Sequence, residues 1–126
     1  MSAHLLYAAS APVWMRPNSF LVKLGLTTNP RARMETYLTG CPPRQTPSAE
    51  LEYLKLWSTT ATTGTELRAF ETLLHNQFQS HRMTRLHGDL TEWFEFDDDP
   101  IPLISDYLSK QPWIVGEVQY HNLFQE

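Results

Sequence analysis

The segment that most limits how this chain can fold is Phe20-Leu21-Val22-Lys23-Leu24-Gly25-Leu26-Thr27, followed at once by Thr28-Asn29-Pro30. Its β-branched and aromatic residues suit a strand, and side chains in a strand alternate between two faces. Phe20, Val22, Leu24 and Leu26 therefore share one face, and Leu21, Lys23, Gly25 and Thr27 share the other. The polar residues before Pro30 then read as a helix start, with proline at the first helical position. Lys23 and Gly25 therefore share a surface.

The neighbouring segments supply the rest of such a sheet. The apolar run from His4 to Ala9 ends at Ser10-Ala11-Pro12, and it pairs naturally with 20–27 as a β-hairpin whose long connector holds Trp14, Arg16 and Pro17. A helix is expected from Pro30 to about Leu38, stopping before Gly40-Cys41-Pro42-Pro43, with Met34, Tyr37 and Leu38 as its apolar face. Leu51, Tyr53 and Trp57 suggest a third strand over 50–58.

A second helix should start near Thr63 to Thr65 and reach about His81, burying Leu67, Phe70, Leu74 and Phe78. At 100° per residue, Glu71 lies about 40° from Leu67 and about 20° from Phe78, at the margin of the buried stripe. His75 follows one turn later, and Arg82 continues the same flank. Gly88-Asp89 reads as a turn, 91–96 as a short strand, and Asp97-Asp98-Asp99-Pro100 as a helix N-terminus, where acidic charge suits the dipole. The last helix is expected over about Ile101 to Ser109, and the residues beyond Pro112 as a terminal strand or a docking segment. The fold class is α+β, a small antiparallel sheet flanked by helices. Residues 1–96 form the main domain and 97–126 an acidic helix and tail packed on it or extending it.

Composition narrows the function. At 126 residues the chain has room for one domain, and at 41% hydrophobic and 12% aromatic it can build a core. The single cysteine, Cys41, excludes an internal disulfide and a four-thiolate zinc site. No stretch approaches the roughly 20 apolar residues that span a bilayer. Leu5 to Ala9 is short for a signal peptide and has no Lys or Arg before it, so the expected location is cytoplasmic or nuclear. Net charge is −4, unfavourable for a nucleic-acid binder, yet it is unevenly spread. Residues 1–88 hold nine Lys/Arg against five Asp/Glu, whereas 89–126 hold Lys110 against nine acids. A mildly basic body carries an acidic tail.

Taken in order, Leu5-Leu6-Tyr7, Val22-Lys23-Leu24-Gly25-Leu26-Thr27, Asn29-Pro30-Arg31-Ala32-Arg33, Phe70-Glu71-Thr72-Leu73-Leu74-His75 with Phe78, and Glu92-Trp93-Phe94 resemble the GIY-YIG nuclease superfamily. The resemblance is closer to its divergent phage and viral branch, with Lys-hydrophobic-Gly as second motif, and it covers about residues 4–96. It implies a metal-dependent endonuclease that hydrolyses DNA phosphodiesters on one face of a small antiparallel sheet. Carried over residue by residue, Tyr7 matches the first-motif tyrosine, Lys23 and Gly25 the first position and the glycine of the second motif, Arg33 the helix arginine, and Glu71 the metal-binding glutamate. Leu5-Leu6 stands in place of Gly-Ile, Lys23 in place of the second tyrosine, the hairpin connector is longer, and the tail has no counterpart.

The chemistry these residues would supply is coherent. One carboxylate, Glu71, suffices for Mg²⁺ or Mn²⁺, which keep several waters. Arg33 would meet the scissile phosphate with its guanidinium fork. Tyr7 is the implied general base; a phenol with reference pKa near 10 needs a neighbouring cation, and Lys23 across the hairpin is one. Gly25 leaves room for phosphate or backbone to approach.

Each role has a plainer counterpart. Tyr7 can be a core aromatic and Lys23 a solvated residue of the sheet. Arg31, four residues before Glu35, can be a helix ion pair as well as a substrate contact. His75 can be a second ligand, a proton donor or a structural histidine, and Glu92 can line the site or cap the sheet edge. DNA is the implied substrate, with structured RNA left open, and the acidic tail offers a surface for a protein partner. The competing function is a catalytically inactive or partner-dependent binding module on the same fold.

Overall fold

The computed structural model describes residues 4–30, 39–40, 49–85 and 88–119. Its main sheet is antiparallel throughout and α+β in class, as the alternation and helical stripes predict. In chain order the elements are β1 (Leu5–Ser10), β2 (Met15–Arg16), β3 (Ser19–Thr27), β4 (Thr39–Gly40), β5 (Ala49–Glu50), β6 (Glu52–Thr59) and α1 (Gly64–Gln77). They continue with β7 (Arg82–Thr84), β8 (Leu90–Phe96), α2 (Ile101–Ser109) and β9 (Ile114–Val118). The sheet runs β7-β8-β3-β1-β6-β9, with β2 folded back on β3, while β4 and β5 form a separate two-stranded ladder.

β1 is the centre of the sheet, and all six of its residues are buried. That requires both faces to be covered, so the strand reads as a continuous apolar run instead of alternating with polar residues. On one face Leu6, Ala8, Val22, Leu24, Trp57, Phe94 and Phe96 pack with Leu67 and Leu74 of α1, with Phe78 just after it, and with Ile104 and Leu108 of α2. On the other face Leu5, Tyr7, Ala9, Leu21, Leu56 and Trp93 pack with Trp14 and Leu51. The two faces of β3 thus sort as its sequence alternation predicts.

The connector between β1 and β3 is compact. Pro12–Trp14 forms a single 3-10 turn, and β2 pairs back with β3 across Pro17-Asn18. Asn18 takes the left-handed conformation, φ 69°, which asparagine tolerates better than most residues. The opening of α1 is capped reciprocally: Thr63 Oγ1 accepts from the Glu66 amide at 3.2 Å, and Glu66 Oε1 accepts from the Thr62 hydroxyl at 2.8 Å.

Two expectations change. The helix that the stripe carries to His81 ends at Gln77; Gln79–His81 is a 3-10 turn, and Arg82 opens β7 instead of continuing the helix flank. The 49–50 region separates from β6 as its own short strand. Of the alternatives left open for the C-terminal segment, α2 packs in the main core and β9 is a terminal strand paired with β6. The expected helix of 30–38 lies outside the described residues apart from Pro30. Asp97, Asp98 and Asp99 are exposed before α2, and Asp99 Oδ1 accepts from the Ile101 amide at 2.9 Å.

Candidate active site

Tyr7 and Gly25 are direct partners across β1 and β3. The tyrosine ring lies flat across the glycine: a Cβ at position 25 would stand 2.6 Å from the Tyr7 hydroxyl and 2.7 Å from its ring carbon Cζ. No real side chain fits at that distance, so the glycine is what lets the tyrosine occupy this place. Tyr7 is wholly buried, and Gly25 is buried with it.

Lys23 lies two residues along β3 on the same face, paired with Ala9 on one side and with Trp93 of β8 on the other. It is half-buried. The sequence grouping of Tyr7, Lys23 and Gly25 on one surface therefore agrees with the strand register.

Glu71 and His75 stand on α1, and Glu92 on β8. α1 packs on the Leu24 face, and Glu71 is buried there at 7% exposure beside Leu67 and Leu74. His75, one turn on, is also buried; its Nε2–H donates to the Leu24 carbonyl at 2.8 Å, and its ring meets Phe94 at 5.3 Å. A carbonyl can only accept, so this bond fixes the proton on Nε2 of the neutral ring. Burial holds His75 below the ordinary histidine range, partly offset by that hydrogen bond. Arg82 on β7 lowers it a little further, and Glu92 on β8, half-buried, raises it.

The two groups are joined at one stretch of β3 by the His75 bond to Leu24. β8 pairs with β3 from Phe20 to Lys23, and among the described residues no strand continues that edge over Leu24 to Thr27. His75 takes the place of the missing strand at Leu24, between Lys23 and Gly25 on the opposite face. Arg31 and Arg33 lie outside the described residues; the chain approaches them from Thr27, whose Oγ1 accepts from the Asn29 amide at 3.1 Å, and from buried Pro30.

Among the described residues no group of three His, Cys, Asp or Glu side chains could hold a metal. The donors present, one buried carboxylate with an imidazole a turn away, do not fit a caged structural ion. They fit a hard cation that fills most of its shell with water and phosphate oxygens.

Comparison with known families gives a match to the T5orf172 domain over residues 5–108. The chain belongs to the T5orf172 family. This domain is found in phage-type and GIY-YIG-like endonuclease-related proteins. No curated protein and no solved structure matches the chain. The T5orf172 match runs from the first residue of β1 to Leu108 in α2, so it takes in Tyr7, Lys23, Gly25, Glu71, His75 and Glu92 together with the helix formed after the acidic run. No helix among the described residues of this T5orf172 chain is long and apolar enough to cross a membrane.

Sequence reasoning passed over one residue of this site. Tyr53 on β6 sets its ring edge against Tyr7, centroids 5.4 Å apart, and its hydroxyl donates to the Pro30 carbonyl at 2.9 Å. Read from sequence it is an ordinary strand aromatic; its place depends on a register shift in the sheet that no local pattern encodes.

Proposed function

We propose that this T5orf172 chain is a divalent-metal-dependent endonuclease of the GIY-YIG kind that hydrolyses DNA phosphodiester bonds. The observation that carries the reading is the interlock of Tyr7 with Gly25. The two residues that match the first and second motifs are adjacent in register, and one fills the space the other leaves open. Membership in a nuclease-associated domain family supports it.

In this reading Tyr7 takes the proton of the attacking water, and Lys23 on the same face favours the phenolate by its charge. Arg33 contacts the scissile phosphate, with Arg31 beside it in the sequence as a further cationic contact. Glu71 would hold Mg²⁺ or Mn²⁺, which offsets charge on the phosphoryl oxygens and the leaving oxygen. His75 keeps α1, and so Glu71, at a fixed height against β3. Gly25 keeps the surface beside Tyr7 low, and Glu92 adds a carboxylate near His75. Partners are DNA or structured RNA, with the acidic C-terminal tail of residues 97–126 as a surface for a protein.

One observation favours a second reading. Tyr7 is fully buried and Glu71 nearly so, which is the condition of core residues and not of groups that meet a substrate. A binding module on the same fold, or a subunit whose site opens only with a partner, accounts for that burial directly. The experiment is cleavage of supercoiled DNA at low ionic strength with Mg²⁺, Mn²⁺ or EDTA. Metal-dependent nicking that is lost in Glu71→Gln supports the nuclease; a folded wild-type chain that leaves DNA intact supports the second reading.

A further inference from the structure

The pairing of β1 with β6 slips by one residue between Ala8 and Ala9. Up to Ala8 the partners run Tyr7 with Leu56 and Ala8 with Lys55, and an unbroken ladder would set Leu54 opposite Ala9. Instead Ala9 faces Tyr53. Ala9 lies on the Tyr7 face, so the slip turns Tyr53 onto that face and sends Leu54 to the α1 side, where it packs in the main core. A bulge of this kind re-aims one side chain at the cost of a local break in the ladder.

What Tyr53 gains is contact with two parts of the site at once. Its ring meets Tyr7 edge-on, centroids 5.4 Å apart and planes at 66°, the geometry aromatic pairs favour. Its hydroxyl reaches the carbonyl of Pro30 at 2.9 Å. Pro30 is buried and closes the turn in which Thr27 Oγ1 receives the Asn29 amide. The Arg31-Ala32-Arg33 run follows immediately in the sequence.

We propose that Tyr53 is a positioning residue: its ring sets the orientation of Tyr7 while its hydroxyl fixes the carbonyl from which the arginine-bearing segment departs. The base and the start of the phosphate-binding segment are thereby held to one another through a single side chain. The inference rests on the nuclease reading for its catalytic meaning, and on the bulge, the ring contact and the Pro30 bond for its geometry. Because orientation errors of about 1 Å can cost on the order of a hundredfold in rate, one hydroxyl bonded to a backbone carbonyl can matter.

The test compares the full chain with Tyr53→Phe, Tyr7→Phe and the double variant, each checked for folding by circular dichroism. Single-turnover plasmid nicking with Mn²⁺ gives rate and half-saturating DNA concentration separately. Carbon-13 spectra of tyrosine labelled at Cζ, with the Tyr7 signal assigned by its loss in Tyr7→Phe, report the phenol whether or not the chain cuts DNA. Tyr53→Phe is expected to lower the rate roughly ten- to a hundredfold, with the half-saturating concentration unchanged within about twofold. It should also move the Tyr7 signal, and cost nothing further in the Tyr7→Phe background.

If wild-type protein does not cut, the nuclease reading fails on its own; a Tyr7 signal that still moves upholds the geometric link, and one that stays put overturns it. In a chain that cuts, an unchanged rate, or a further loss in the double variant equal to that in wild type, overturns the proposal. A Tyr53→Phe chain that unfolds contradicts it too, because the hydroxyl would then serve the fold and not the site.

Discussion

Tyr7 stands where a side chain at Gly25 would begin: the Cβ of any other residue at position 25 would lie 2.6 Å from the tyrosine hydroxyl and 2.7 Å from its Cζ. Neither partner can give way easily, since Tyr7 is enclosed by Leu5, Ala9, Leu56 and Trp93 in a closed cluster. Gly25→Ala is therefore expected to destabilise the fold by about 1–3 kcal/mol, the usual cost of overpacking, and to displace Tyr7. Urea denaturation measures the first effect, and DNA cleavage the second. An alanine variant as stable and as active as wild type would mean that the tyrosine has room to move.

Glu71 separates catalysis from folding. Glu71→Gln keeps the shape and removes the charge, so the chain is expected to stay folded with a cooperative urea transition. Cleavage should fall on the order of 100-fold or more, because the metal loses its protein ligand. A variant that loses stability and activity in parallel would assign Glu71 to the fold.

His75 predicts a pH dependence. Burial holds its folded-state pKa below the ordinary value of about 6.5, so the unfolded chain takes up a proton before the folded one does. The stability this contributes is complete above that value and declines as pH falls from there toward the lowered folded pKa. His75→Gln, whose side-chain amide can still donate to the Leu24 carbonyl, should show a smaller loss of urea stability between pH 7.5 and 5 than wild type. Identical slopes would contradict the assignment.

The sheet was legible because its signals are local. Alternation in 20–27 separates Val22 and Leu24 from Lys23 and Gly25 by geometry alone, and the 3.6-residue stripe of α1 places Glu71 at the core margin, where it is found buried. The end of α1 was not legible: Phe78 continues the apolar stripe, yet the helix stops at Gln77 and Arg82 pairs opposite Phe94 in β7, a non-local contact. For β9 the sequence left a terminal strand and a docking segment both open, because five residues on a sheet edge do not name their partner β6. For the same reason the lone strand aromatic Tyr53 gives no hint in sequence of its reach to Pro30. Arg31 and Arg33 rest on the motif order alone.

The cap of α1 offers a control. Thr63→Ala removes the acceptor for the Glu66 amide and is expected to cost about 1 kcal/mol of stability. Cleavage per folded molecule should be unchanged, since the cap lies two turns before Glu71 on the exposed end of the helix. A loss of specific activity would show that α1 must be held along its whole length.

The most direct measurement of the central claim is nicking of supercoiled DNA by the wild-type chain and by Tyr7→Phe and Glu71→Gln proteins of equal foldedness, with Mg²⁺, Mn²⁺ or EDTA at low salt. The nuclease account predicts nicking by wild type in either metal, none in EDTA, and near-complete loss in both variants. Intact plasmid under every condition with folded wild-type protein, or cutting that survives both substitutions, would contradict it.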